Sequence, residues 1–159
     1  MDKVSPPQCL QSAFERHALT DTQVFAFPEG THTAADAAAA IGCDISDIGK
    51  SLLFVTEPGR PVLIIMNGAD TVDEARVAGL IGFSIRKATA QEVRDMTGYA
   101  IGGVPPFGHA NPVETLLDEK LLKKKTIWLA AGTPKTVFSI TPDDLRKATG
   151  IETGVDIAA

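Results

Sequence analysis

Lys50 heads the run "KSLLFVT", whose β-branched and aliphatic content reads as a strand. With a period of two, its side chain shares a face with Leu52 and Phe54 while Ser51 points the other way. A lysine on an apolar sheet face either loses its charge to desolvation or finds an anionic or carbonyl partner. Either outcome suits it to polarising a substrate oxygen; the alternative is a lysine that snorkels at a strand end. A second chemical candidate is the loop "GYAIGGVPPFGH". Gly102 and Gly103 can bring unhindered backbone amides to a developing oxyanion, and Pro105 and Pro106 would hold those amides still. Gly108 and His109 end the loop. An ordinary rigid connection is the other reading of the same residues.

Other chemistry is thinner. His17 and His32 lie far from His109, and no GxSxG, HExxH or Ser/His/Asp set can be assembled from spacing. Cys9 and Cys43 form no CxxC or Cys/His pattern, so no metal site or disulfide is suggested, and both read as reduced packing residues. Lys123, Lys124 and Lys125 are consecutive and are either a solvated face or a phosphate-tracking patch for RNA.

These residues sit in a chain of 159 residues, 44% hydrophobic, with a formal charge of −5, which fits one domain over residues 1–159. The acidic balance and the lack of a helix-turn-helix pair argue against a DNA-binding regulator. The N-terminal "MDKVSPPQ" has no signal-peptide apolar region, and no stretch approaches the roughly 20 apolar residues of a membrane span, so a cytoplasmic protein without a membrane partner is expected.

The elements that must position the candidates are legible from caps and periodicity. Ser5 and Pro6 look like the N-cap and first turn of a helix through "CLQSAFERHAL", and "TQVFAF" reads as a strand. Thr33 and Asp36 resemble a capping box before "AADAAAAIG", which Gly42 would stop. "KSLLFVT" and "PVLIIMN" flank "EPGR" as a hairpin, both strands reading as buried on each face. A helix at "DTVDEARVAGLIG" and a short strand at "FSIRKA" follow. "TAQEVRDMTG" and "TPDDLRKATG" are capped helices closed by glycine, and between them lie a strand near "PVETLLD" and two strands in "TIWLAAGTPKTVFSI". The irregular interleaving predicts an α+β domain built on a mixed, strongly twisted, partly open barrel-like sheet flanked by helices.

The order "THTAADAA", "GKSLLF", "TGY" running into "GGVPPFGH", then "AAGTP" before a strand resembles the YbaK/prolyl-tRNA synthetase-associated domain family across about residues 20–150. Members are free-standing trans-editing aminoacyl-tRNA deacylases or editing domains of prolyl-tRNA synthetase. The resemblance implies that Lys50 is the principal functional side chain, and that Gly102 and Gly103 line its pocket with Gly108 and His109 closing it. Alanine-editing members often carry asparagine after the lysine, where this chain has Ser51. The implied activity is hydrolysis of the ester of a mischarged tRNA, with a small amino acid such as alanine, cysteine or serine removed from tRNA for proline. No metal or other cofactor is implied. The partners would be the tRNA acceptor end and prolyl-tRNA synthetase. On this reading a loop stiffened by Pro105 and Pro106 excludes the prolyl ring. The rival reading is a non-catalytic module that binds tRNA or a synthetase.

Overall fold

Two apolar runs joined by Glu57-Pro58-Gly59-Arg60 form the hairpin at the centre of the molecule: β3 (Gly49–Thr56) pairs antiparallel with β4 (Pro61–Asn67) from Gly49↔Asn67 to Val55↔Pro61. Gly59 takes the positive φ of 93° that closes the turn. The computed structural model describes residues 1–159.

In chain order the remaining elements are β1 (Asp2–Val4), α1 (Gln8–Arg16), β2 (Val24–Ala26), α2 (Ala34–Ile41), α3 (Glu74–Ile81), β5 (Ile85–Lys87), α4 (Ala90–Thr97), β6 (Glu114–Leu117), β7 (Ile127–Ala130), β8 (Thr136–Ile140) and α5 (Pro142–Thr149). The α+β class is as expected. The mixed sheet is resolved into two four-stranded sheets, β1-β2-β8-β7 and β5-β3-β4-β6, the latter containing the parallel pair β4–β6. The sheets share one parallel bridge, Ile48↔Trp128, and do not close into a barrel.

Local chemistry explains most boundaries. The capping box at Thr33 and Asp36 is formed, and Gly42 ends α2 in the left-handed region. Thr89 and Glu92 make the same box for α4, and Thr141 caps α5. The start of α1 differs: Pro7 occupies the N-cap without a side-chain bond, because the Ser5-Pro6-Pro7 run stays extended beside β1. The β1 strand itself, three exposed residues, leaves no periodic trace in the sequence.

The main core packs α1, α4 and α5 against both sheets around Phe14, Leu63, Phe107 and Phe138, all buried. A second cluster lies on the other face of the hairpin, where Phe54, Ile64 and Met66 meet Val77 and Ile157. From Val62 to Asn67, β4 is buried on both faces, as its composition suggests. Lys50, Ser51 and Leu52 of β3 are only partly buried, a departure from the expectation, because β5 reaches β3 only at Phe54–Thr56. Cys9 is exposed and so is not a packing residue. No helix is long and apolar enough to cross a membrane.

Candidate active site

The uncovered end of β3 opens onto a cleft. The side chain of Lys50 crosses to the segment after β4, where Nζ donates to the Asp70 carbonyl at 2.6 Å. That acceptor is held from behind. Asn67 Nδ2 donates to Asp70 Oδ2 at 2.9 Å and to Asp118 Oδ2 at 2.6 Å, and Lys120 Nζ reaches Asp70 Oδ2 at 2.8 Å. Asn67 and Asp118 are each 1% exposed, so the inner half of this cluster is shielded from water and hydrogen-bonded, while Lys120 reaches Asp70 from the solvent side. The bonds from Asn67 and Lys120 hold the Asp70 carboxyl below the usual range. Burial pushes the Lys50 ammonium down and the charge of Asp70 partly restores it.

The glycine-proline loop faces Lys50 with its front half only. Gly102 has φ of 83° and its N–H donates to no protein group, whereas the Gly103 N–H is committed to the Ala100 carbonyl at 2.9 Å. Of the two amides expected to meet an oxyanion, Gly102 alone is available. Gly103 serves packing: its carbonyl accepts the Gly132 N–H at 3.0 Å, and a Cβ there would lie 2.6 Å from the Thr133 backbone.

Two lobes meet at Lys50, Ser51, Leu52 and Gly102. The first, about 400 Å³, is walled by Ala34 and Ala37 of α2, Leu129 and Ala130 of β7, and Pro134, with Phe27, His32 and Trp128 at its outer part. The second, about 320 Å³, runs past Phe54, Val72, Val93 and Val104 to a rim carrying Glu74, Lys87 and Ile101, which is 55% exposed.

The back half of the loop lies elsewhere. Pro105 is buried, and its carbonyl is paired with His109 Nε2 at 2.7 Å. Pro106, Gly108 and His109 line a separate groove beside Arg16 and Asn111, and are not brought to Lys50. Tyr99 donates its hydroxyl to the Gly108 carbonyl at 2.7 Å, and burial pushes its pKa up to about 12, so it stays a neutral donor. Burial pushes His109 down against the opposing pull of the Pro105 carbonyl, and this favours the neutral ring in an anchoring role.

Among the basic run, Lys123 and Lys125 are exposed, but Lys124 is tied to Ser46 and, at 3.4 Å, to Asp47. Sequence spacing missed Ala34, Ala37, Trp128 and Pro134 as walls and Asn67 and Asp118 as supports. Only Asn67 carried a signal, a polar residue ending an apolar strand.

The model of the family described as aminoacyl-tRNA editing domain matches residues 28–148. A solved structure of a candidate trans-editing enzyme for prolyl tRNA synthetase superposes with a TM-score of 0.88 at 39% identity, covering 98% of this chain and 99% of that one. The uncharacterized protein YwhH of Bacillus subtilis is 32% identical over 137 residues, 86% of this chain and 87% of its own length. The proline–tRNA ligase of Nitratidesulfovibrio vulgaris is 28% identical over 129 residues, 80% of this chain but only 22% of the ligase.

Proposed function

The chain belongs to the aminoacyl-tRNA editing domain family, and from that premise we propose that it hydrolyses, in trans, the ester joining a wrong amino acid to the terminal ribose of a tRNA. The observation that carries the reading is the meeting of Lys50 and the unpaired Gly102 N–H at the junction of two lobes. An ester carbonyl has two arms, and the cleft has a lobe for each. The acyl side chain fits the first lobe, among small residues of α2 and β7. The terminal nucleoside fits the second, where Ile101 offers an apolar surface to a base and Lys87 a cation to a phosphate.

Water adds to the carbonyl carbon, the oxygen gains negative charge, and the bond to the ribose oxygen breaks as that oxygen takes up a proton. Gly102 N–H and the Lys50 ammonium stabilise the charge in a partly dried cleft, while the vicinal ribose hydroxyl lies within the same substrate to orient water or to relay the proton. Esters of this kind are already activated, so a short list of groups suffices.

The substrate we propose is a small amino acid such as alanine, cysteine or serine on tRNA for proline, in the cytoplasm. The similarity to proline–tRNA ligases and to a candidate trans-editing enzyme supports that choice and a contact with prolyl-tRNA synthetase. The wall that meets the acyl side chain is then Ala34, Ala37 and Pro134, and Pro105 and Pro106 do not form it. A deacylation screen with tRNA charged with alanine, cysteine, serine and proline tests the proposal. Turnover of a small aminoacyl ester with prolyl-tRNA spared is expected; binding without turnover of any of them would favour a non-catalytic module.

A further inference from the structure

We infer that the main chain of Ser51, on the open edge of β3, reads the free α-ammonium of the aminoacyl group. The inference rests on the deacylase reading and concerns how its substrate is recognised. Along β3, Thr56 N–H donates to the Arg60 carbonyl on the β4 side, whereas the Leu53 carbonyl accepts from Ala88 on the β5 side. The alternation of an antiparallel pair therefore turns the N–H and C=O of Ser51 toward the β5 side, away from β4. There β5 reaches only as far as Phe54, and the bridge to β7 at Ile48↔Trp128 is isolated and does not continue to Ser51, so Ser51 enters no ladder on that edge. Backbone groups left this way inside a fold are unusual and call for a partner.

Both lobes are lined by Ser51. Its hydroxyl is buried and has no hydrogen-bond partner, so it is the main chain that Ser51 presents to the cleft. Three other carbonyls near the junction are occupied: Leu53 by Ala88, Gly103 by Gly132, and Asp70 by Lys50. An aminoacyl ester carries an ammonium one bond from the carbon bearing its carbonyl. With the ester oxygen at Gly102 N–H, the ammonium finds the Ser51 carbonyl as its acceptor. A hydroxyl in its place forms a weaker, uncharged bond, and an acylated nitrogen adds bulk at an edge that has room for one strand-like partner.

The test is substrate-side. Single-turnover hydrolysis is measured for alanyl-tRNA, lactyl-tRNA, in which a hydroxyl replaces the ammonium, and N-acetylalanyl-tRNA, each rate divided by that of the uncatalysed ester. The corrected rate should fall by roughly 10- to 100-fold for both analogues, the worth of a charged hydrogen bond. Because the reading is by backbone, Ser51→Ala and Glu74→Gln should keep that ratio. Equal corrected rates for the three esters would overturn the inference and leave the deacylase reading standing, and loss of the ratio in Glu74→Gln would assign the amine to that carboxylate instead. No turnover of any aminoacyl-tRNA would remove the deacylase reading and this inference with it.

Discussion

Lys50 holds its ammonium in a half-buried place because Asn67, Asp118 and Lys120 fix the Asp70 segment that receives it. Asn67 is thus a positioning residue, and Asn67→Ala should lower kcat with little change in KM. It should also cost about 1–3 kcal/mol of stability, because the buried Asp118 carboxylate loses its side-chain donor and keeps only backbone N–H partners. Single-turnover kinetics beside denaturant unfolding check this; a stability loss with unchanged kcat would make the cluster purely structural. The two adjacent glycines should separate as well. A methyl at Gly103 collides with the Thr133 backbone at 2.6 Å, while one at Gly102 meets Pro134 at 3.6 Å and suffers only from φ of 83°. Gly103→Ala should therefore destabilise more than Gly102→Ala, the first by about 1–3 kcal/mol of overpacking, as urea unfolding would show. The face on which Lys50 lies was legible from one strand's alternation, and its proposed role only from the order of motifs along the chain. Asn67 and Asp118 were not, because they are 51 positions apart and meet only through the parallel β4–β6 pair.

At the scale of elements, what the sequence displayed best was punctuation. The boxes at Thr33 and Thr89 and the closing glycines depend on residues a few positions apart, so they are readable locally. Glu92 makes one of these boxes testable. It accepts from Thr89 N–H and pairs with Arg86 at 2.7 Å, which lowers its pKa from 4.5 to about 2. A carboxyl depressed on folding contributes stability above its unfolded pKa and loses it as pH falls toward the folded one. The deficit of Glu92→Gln in thermal unfolding should therefore be full above about pH 5 and fade as pH approaches 2. A deficit independent of pH would contradict the assignment. Strand edges are the opposite case. That β5 stops at Phe54, and that the sheets part after Ile48↔Trp128, follow from tertiary packing with no local signature. The glycine-proline loop was legible as rigid but not as two-faced: Gly102 lines the cleft, while His109 lines a separate groove beside Arg16 and Asn111.

For the whole molecule, a net charge of −5 must coexist with the proposed binding of a polyanion, so attraction has to be local. Lys123 and Lys125 are free for it, while Lys124 braces Ser46 and Asp47. Replacing Lys123 and Lys125 with glutamine should flatten the salt dependence of tRNA binding by about 0.7–0.9 in slope for each phosphate that is no longer neutralised, and an unchanged slope would return them to bulk solvent. The proposed chemistry centres on one lysine between two lobes. The measurement that tests it most directly is single-turnover hydrolysis of alanyl-, cysteinyl- and seryl-tRNA by the wild-type protein and by Lys50→Ala, with thermal unfolding of both. The wild type should cleave at least one of them, and the variant, still folded, should be slower by about 10²–10³. A folded Lys50→Ala protein that works within about twofold of wild type would contradict the account, since the loss of a positioned charge donor cannot be so small.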